Sequence, residues 1–175
     1  TYTGIVGDAL SSLPFNVRGI HEFDDPAKAI GDAEAIYIGG GNTFVLMDQL
    51  LSNGLIDVLK HKVKAGTPYL GTSAGSNIVG PNVKTTNDMP IVHPASLDAL
   101  DLIPFNINPH YLDPDPDSKH KGETRETRIK EFHAYNNTSV IGLREGSWIE
   151  VNGEMCVLKG TLTARVFKKD TAPFE

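Results

Sequence analysis

The sequence has a single cysteine, Cys156, and no excess of basic residues. One cysteine can form neither an intrachain disulfide nor a cysteine-rich zinc site, so we expect a protein of the reducing cytoplasm. The formal net charge is −6 and no long basic stripe is present. This charge argues against nucleic acid and anionic membranes as partners. No run of apolar residues approaches the length that a membrane span needs.

The chain of 175 residues, 39% of them hydrophobic, is long enough for one domain with a sizeable core. Neither an internal repeat nor a linker divides it, so we expect a single domain over residues 1–175. The sequence opens on Thr1 rather than methionine and shows no signal-peptide pattern. We therefore expect it to be a fragment or a processed product.

Short apolar runs alternate with segments of helical periodicity up to residue 143. The runs that predict strands are residues 17–21, 35–38, 67–70, 103–108 and 140–143. The segments that predict helices are residues 2–13, 27–30, 43–53, 55–65 and 123–135. The nearly all-apolar strand at 35–38 is expected to be covered on both faces.

The C-terminal part of the chain has a different pattern. Asn152-Gly153 lies between two strand-like runs, a typical signal of a β-hairpin, and residues 163–168 predict a last strand. The whole order favours an α/β fold with a mostly parallel sheet and helices on both faces. The hairpin and the last strand are antiparallel additions to that sheet.

The strand at residues 67–70 leads directly into Gly71-x-Ser73-x-Gly75, the spacing of a nucleophile elbow. Such an elbow places a serine on a sharp turn between a strand and a helix, where only small neighbours fit beside the backbone. Ser73 is therefore the candidate nucleophile. The alternative is an ordinary glycine-rich turn, because so short a pattern also occurs by chance.

A serine nucleophile needs a general base, and the base needs a carboxylate to orient it. His110 is the preferred base because it follows a predicted strand, and strand ends of a parallel sheet share one edge. His93 and His21 remain alternatives. The carboxylate is left open between Asp88, in an irregular segment, and Glu145, just past the strand at 140–143. Both are also explained as turn residues.

Three consecutive glycines, residues 39–41, follow the strand at 35–38. Their spacing is not that of a dinucleotide-binding loop, because the last required glycine is replaced by Phe44. The turn could instead offer a backbone N–H to an oxyanion, paired with the N–H of Ala74. The alternative is a tight turn in which Asn42 or Thr43 caps the following helix.

A series of short motifs extends in order along nearly the whole chain. The motifs are residues 38–44, 71–77, 85–92, 100–102, 107–110, 121–125 and 142–149. Together they closely resemble the peptidase E family of serine peptidases, the α-aspartyl dipeptidases. The resemblance implies hydrolysis of dipeptides with an N-terminal aspartate through an acyl-enzyme. It also implies a fold related to class I glutamine amidotransferases, which have cysteine in place of Ser73.

The resemblance also implies roles for individual positions. The nucleophile, the base and the two oxyanion-hole donors match Ser73, His110, Gly41 and Ala74. The third triad member falls on Glu145 or on Asp88, depending on the motif. We favour Glu145, because a residue that follows a strand would be held rigidly.

Arg125 matches an arginine that is expected to bind the aspartyl side chain of the substrate, and Asn42 is a second expected substrate contact. A bidentate guanidinium–carboxylate contact would distinguish Asp from Asn. The alternative is a surface arginine paired with Glu123 or Glu126. The expected substrate is thus a small acidic peptide, and the expected reaction requires neither a metal nor a cofactor.

The sequence departs from the family pattern at its start, where a strand, a helix and a second strand are missing. A sheet without two strands would expose an edge, so we expect a homo-oligomer or another partner to cover it. Two alternative functions remain. One is a cyanophycinase-like serine peptidase acting on β-aspartyl linkages, and the other is a truncated, non-catalytic binding or assembly protein.

Overall fold

In a computed structural model, residues 2–115, 117 and 122–175 are described, and they form short helices and strands in alternation. The helices are α1 (Tyr2–Ala9), α2 (Pro26–Asp32), α3 (Thr43–Ser52), α4 (Ile56–Lys64), α5 (Ala74–Asn77) and α6 (Arg125–Tyr135). The strands are β1 (Ile36–Ile38), β2 (Tyr69–Gly71), β3 (Phe105–Asn108), β4 (Ser139–Leu143), β5 (Ser147–Asn152), β6 (Met155–Gly160) and β7 (Ala164–Phe167). The predicted α/β class is confirmed. Among these residues no helix is long and apolar enough to cross a membrane.

The described strands form three sheets instead of one continuous sheet. β1 pairs with β2 in parallel, β3 pairs with β4 in parallel, and β7 adds to β4 in the antiparallel direction. The predicted hairpin is confirmed as β5 and β6. The short helix α5 contacts β1, β2 and β3, and so it lies where the first two sheets meet.

The prediction of a strand at residues 17–21 is wrong. This segment forms no strand and continues into a 3₁₀ turn at Ile20–Glu22. A strand needs a neighbour for its backbone N–H and C=O groups. In the described part of the chain, β1 pairs with β2 alone. Gly19 instead donates its N–H to the Glu22 carboxylate at 2.7 Å. Local contacts of this kind replace a sheet ladder.

The expectation that β1 is covered on both faces is also wrong. Tyr37 of β1 is paired with Leu70 of β2, and they are 37% and 59% exposed. The Tyr2 ring stacks on Tyr37 with the ring centroids 6.4 Å apart and covers this face only in part. On the opposite face, Ile36 and Ile38 pack against the core. The separate expectation, that a homo-oligomer or another partner covers an exposed sheet edge, stays a prediction.

Two hydrophobic clusters support the two halves of the molecule. The first lies around α2, α3, α4 and the β1–β2 sheet, and its most buried members are Met47, Leu59, Ile78, Val83 and Leu100. The second lies between α6 and the β3–β4–β7 sheet, and it consists of Tyr111, Ile129, Phe132, Val140 and Phe167. Ser73 follows a strand of the first half, and His110 follows a strand of the second.

The register of β3 against β4 determines where the chain leaves the second sheet. Asn108 lies opposite Gly142, and the Tyr111 N–H donates to the Leu143 carbonyl at 3.0 Å just beyond. Only glycine fits at position 142, because a Cβ there would lie 2.6 Å from the Tyr111 ring. The segments that carry His110 and Glu145 therefore emerge at one sheet edge.

Gly75→Ala is expected to destabilise the chain by about 1–3 kcal/mol, the usual cost of overpacking. A Cβ on Gly75 would lie 2.0 Å from the Ile38 carbonyl oxygen, and this backbone atom cannot swing away. In the control Gly31→Ala, the new Cβ in α2 meets nothing within 4 Å. The free energy of unfolding of this control should rise by up to about 1 kcal/mol, because alanine has the higher helix propensity. Urea unfolding measures both changes, and equal stabilities would contradict the close approach of α5 to β1.

Candidate active site

Ser73 occupies the sharp turn between β2 and α5, with φ 52° and ψ −111°. A positive φ is uncommon for a residue other than glycine, and strained conformations of this kind concentrate at functional sites. Gly71 makes the turn possible, since a Cβ there would lie 2.4 Å from the Gly75 carbonyl oxygen. The strand, serine and helix order that the sequence predicts is therefore present.

His110 connects Ser73 to a carboxylate. Its Nε2 lies 2.9 Å from the Ser73 Oγ, and its Nδ1 is hydrogen-bonded to the Glu145 Oε1. In the tautomer with the proton on Nδ1, the ring donates to Glu145 and the Ser73 hydroxyl donates to Nε2. His110 also has a positive φ, 54°. Of the two carboxylates left open by the sequence, Glu145 is the one within hydrogen-bond reach of the ring.

Polar contacts behind His110 hold its backbone in place. The Asn108 side chain donates to the Thr85 carbonyl at 2.7 Å, and the Asn87 side chain donates to the Pro109 carbonyl at 3.1 Å. The imidazole itself is open to solvent, with the side chains of His110 and Glu145 50% and 73% exposed. Backbone contacts, rather than burial of the ring, thus hold His110 beside Ser73 and Glu145.

Asp88 lies at the start of α3 and not beside His110. Its Oδ2 accepts the Thr43 N–H at 2.7 Å and the Thr86 hydroxyl at 3.2 Å. Thr43 is the first residue of α3, where a backbone N–H has no acceptor inside the helix. Among the described contacts, Asp88 therefore stabilises a helix end and has no hydrogen bond to the His110 ring.

A buried polar network joins α5, α3 and the segment that holds Asp88. The Asn77 side chain donates to the Thr43 hydroxyl at 3.0 Å, and the Thr86 hydroxyl lies 3.1 Å from the same atom. Thr43 is fully buried and Asn77 is 5% exposed. Sequence reasoning missed this network. One signal for it was present in the sequence, because its members lie in the motifs at residues 38–44, 71–77 and 85–92.

The glycine turn at residues 39–41 passes beside the candidate nucleophile. A Cβ on Gly40 would lie 3.2 Å from the Ser73 Cβ, and Gly41 has φ 140°, which favours glycine. Ala74 is the first residue of α5, so its N–H has no acceptor inside that helix. The turn is tied to α5 by the Gly75 N–H, which donates to the Gly39 carbonyl at 3.2 Å.

Asn42 caps α3, as the alternative interpretation of this turn expects. Its Oδ1 accepts the N–H groups of Phe44 and Val45 at 3.0 and 3.2 Å, and its Nδ2 donates to the Met89 carbonyl at 2.8 Å. Both ends of the amide thus have partners within the protein. The predicted substrate contact of Asn42 stays a prediction.

Arg125, the first residue of α6, is partly buried and has no ion pair within the described part of the chain. The carboxylates that would pair with a surface arginine have other partners. Glu123 pairs with Arg128 at 3.4 Å, and Glu126 pairs with Lys130 at 2.6 Å. Burial and the charge of Arg128 lower the pKa of Arg125. At the start of α6, the Arg125 guanidinium thus has no carboxylate partner among the residues that the structure describes.

The two histidines that the sequence left as alternative bases have no described contact with Ser73. This holds for His93 and for His21, which lies in the 3₁₀ turn. Lys121, part of the motif at residues 121–125, lies outside the described residues, as do residues 116 and 118–120. Among the residues that are described, no group of three or more His, Cys, Asp or Glu side chains could hold a metal ion.

The fold has a counterpart among solved structures. The crystal structure of a peptidase from an acI-B1 Actinobacterium matches with a TM-score of 0.72 over 99% of this chain and 72% of that chain. The two sequences are 16% identical, so the likeness concerns the fold alone.

Closer relatives are found by sequence. A protein named peptidase E from Streptomyces coelicolor is 52% identical over 175 residues, which are 100% of this chain and 72% of the relative. A Drosophila melanogaster protein named probable alpha-aspartyl dipeptidase is 50% identical over 170 residues, 97% of this chain and 71% of the relative. The model of peptidase family S51 matches residues 1–159. The resemblance inferred from the motifs is confirmed, and the chain belongs to peptidase family S51.

Proposed function

We propose that this chain is a serine dipeptidase that hydrolyses dipeptides with an N-terminal aspartate. The observation that carries the proposal is the hydrogen-bonded series of Ser73, His110 and Glu145, in which Ser73 lies on a strained elbow. Membership of family S51 supports it, as do relatives named peptidase E and alpha-aspartyl dipeptidase at 52% and 50% identity. The three side chains supply a nucleophile, a base and an orienting carboxylate.

In the first half of the reaction, the Ser73 Oγ attacks the peptide carbonyl carbon and its proton passes to the His110 Nε2. Glu145 keeps the Nδ1 proton in place and stabilises the imidazolium that forms. The imidazolium then protonates the leaving amine, and aspartate remains bound to Ser73 as an ester. In the second half, His110 takes a proton from water, the hydroxide attacks the ester, and aspartate leaves as the proton returns to Ser73.

The backbone N–H groups of Gly41 and Ala74 are the proposed oxyanion donors. The approach of Gly40 to Ser73 brings the glycine turn to the side of the nucleophile, and Ala74 directly follows it. Each such donor contributes on the order of 2.7–4 kcal/mol to transition-state stabilisation. The Asp88, Thr43 and Asn77 contacts would keep these two donor segments fixed relative to each other.

Arg125 is the proposed reader of the substrate's aspartyl side chain. Its guanidinium is partly buried and has no ion pair among the described residues, so a carboxylate that binds there would satisfy it. An asparagine side chain would leave part of the guanidinium without an anionic partner. This contact would let a chain with net charge −6 bind an acidic substrate, because solvent screens the distant charges.

Ser73→Ala is expected to lower kcat on an Asp-X dipeptide by about 10⁴-fold or more, because the nucleophile is lost. The control Ser52→Ala changes an exposed residue at the end of α3 and should keep full activity. Product release measured by chromatography, with α- and β-aspartyl dipeptides side by side, checks both. Equal rates for Ser73→Ala and the parent chain would refute the mechanism, and preference for the β-linkage would refute the substrate assignment.

Glu145→Gln and Asp88→Asn separate the two carboxylates. Glu145→Gln should lower kcat by about 10²–10⁴-fold, because the amide no longer stabilises the imidazolium. Asp88→Asn retains an oxygen for the Thr43 N–H, so it should cost about 1 kcal/mol of stability and less than about tenfold in kcat. Steady-state kinetics and urea unfolding measure these effects. The opposite order of kcat losses would give the third triad position to Asp88.

Arg125→Lys is expected to lower kcat/KM for Asp-X by about 10–100-fold, since one bidentate ionic contact is weakened. The same change should barely affect the slow hydrolysis of Asn-X, so the Asp-to-Asn preference shrinks. Arg128→Lys on the same helix is the matched control, because its carboxylate partner is Glu123. Equal proportional losses on both substrates would show that Arg125 does not read the side-chain charge.

A further inference from the structure

The β3–β4 ladder fixes where His110 and Glu145 leave the sheet, but it does not reach either residue. A hydrogen bond from the Tyr111 N–H to the Leu143 carbonyl, at 3.0 Å, extends the pairing between the two segments. The Glu145 side chain is 73% exposed, so holding it against the histidine costs side-chain entropy that burial does not offset. A further contact between the two segments would reduce this freedom.

Arg144, directly before Glu145, makes such a contact. Its Nε donates to the Asp113 Oδ2 at 2.8 Å, and its Nη2 donates to the Asp113 Oδ1 at 2.9 Å. Asp113 lies three residues after His110, so this two-pronged contact bridges the two segments that carry the proposed base and its carboxylate. The Arg144 side chain is only 15% exposed, and its guanidinium carbon lies 5.9 Å from the centre of the Tyr111 ring.

The far side of the guanidinium is anchored as well. Nη1 donates to the Thr163 carbonyl at 2.9 Å, to its hydroxyl at 2.8 Å and to the Glu175 Oε2 at 2.8 Å. Hydrogen bonds from Arg144 lower the pKa of Asp113 and hold that of Glu175 at about 2. Every nitrogen of the guanidinium thus has an acceptor, in a planar arrangement that a lysine ammonium cannot reproduce.

We propose that Arg144 is a positioning residue of the active site. By joining Asp113 to the backbone that carries Glu145, it sets the separation between the His110 ring and the Glu145 carboxylate. The inference rests on the proposed function of Ser73, His110 and Glu145. Arg144 has no described contact with Ser73 or His110, so it acts through the backbone on either side.

Arg144→Lys tests the inference, because the positive charge stays and the two-pronged contact is lost. We expect kcat on an Asp-X dipeptide to fall about tenfold, with KM changed by less than about twofold. Asp113→Asn should have the same effect. Thr163→Ala is the matched control, since it removes a hydroxyl contact on the far side of the guanidinium. It should lower the urea unfolding midpoint and leave kcat unchanged.

A double-mutant cycle combines Arg144→Lys with Glu145→Gln. Arg144 acts on kcat through Glu145, so Arg144→Lys should cause less than about a twofold further loss once that carboxylate is replaced. A merely structural role would give the full loss again. A further tenfold loss in this background would overturn the inference, as would unchanged kcat in the single variant.

Covalent labelling of Ser73 by a fluorophosphonate separates this inference from the dipeptidase assignment. Labelling needs the nucleophile and its base but not an aspartyl substrate. If the parent chain is labelled but does not cleave Asp-X, the proposed function fails by itself. In that case, labelling about tenfold slower in Arg144→Lys than in Thr163→Ala still supports the positioning role, and equal labelling rates overturn it.

Discussion

The parallel pairing of β3 with β4 is the constraint on which the candidate site depends most. With Asn108 opposite Gly142, the next residues of both strands leave the sheet at one edge, and His110 reaches Glu145 there. A register slip by one residue would turn each side chain of the strand to the other face. The contact between the Tyr111 ring and Gly142 opposes such a slip. A slip would bring a residue with a side chain to the place of Gly142, and a Cβ there would collide with the ring.

The other half of the site belongs to the first sheet. Ser73 follows β2, and glycines at positions 71 and 75 let the following helix α5 lie close to the strands. The 2.9 Å contact between Ser73 and His110 therefore links residues that rest on different hydrophobic clusters. Contacts from Asn108 to Thr85 and from Asn87 to Pro109 cross between the halves behind this pair. The geometry of the site consequently depends on how the two halves pack.

Much of this arrangement could be predicted from sequence, because some constraints are local. The elbow around Ser73 needs small neighbours at fixed spacing, and the spacing alone indicates it. In the same way, the position of His110 just after a predicted strand indicated the edge of the sheet at which it lies. Asp88 and Glu145 could not be separated, because both follow plausible turns and only three-dimensional contacts distinguish a helix cap from a partner of histidine.

The errors have physical causes of a different kind. Residues 17–21 have strand propensity, but no described strand offers them a ladder, and β1 has one covered face where two were predicted. Pairing partners and coverage are non-local, so a single sequence does not determine them. The bridge from Arg144 to Asp113 was missed for the same reason, because its two residues lie 31 positions apart.

The most direct test of the account is detection of the covalent intermediate. The chain is mixed with an aspartyl anilide, quenched in acid within one turnover, digested and analysed by mass spectrometry. The account predicts an aspartyl adduct on the peptide that contains Ser73, a matching burst of released aniline, and loss of both in His110→Ala. Turnover of the anilide without any adduct on Ser73, or an adduct on another residue, would contradict it.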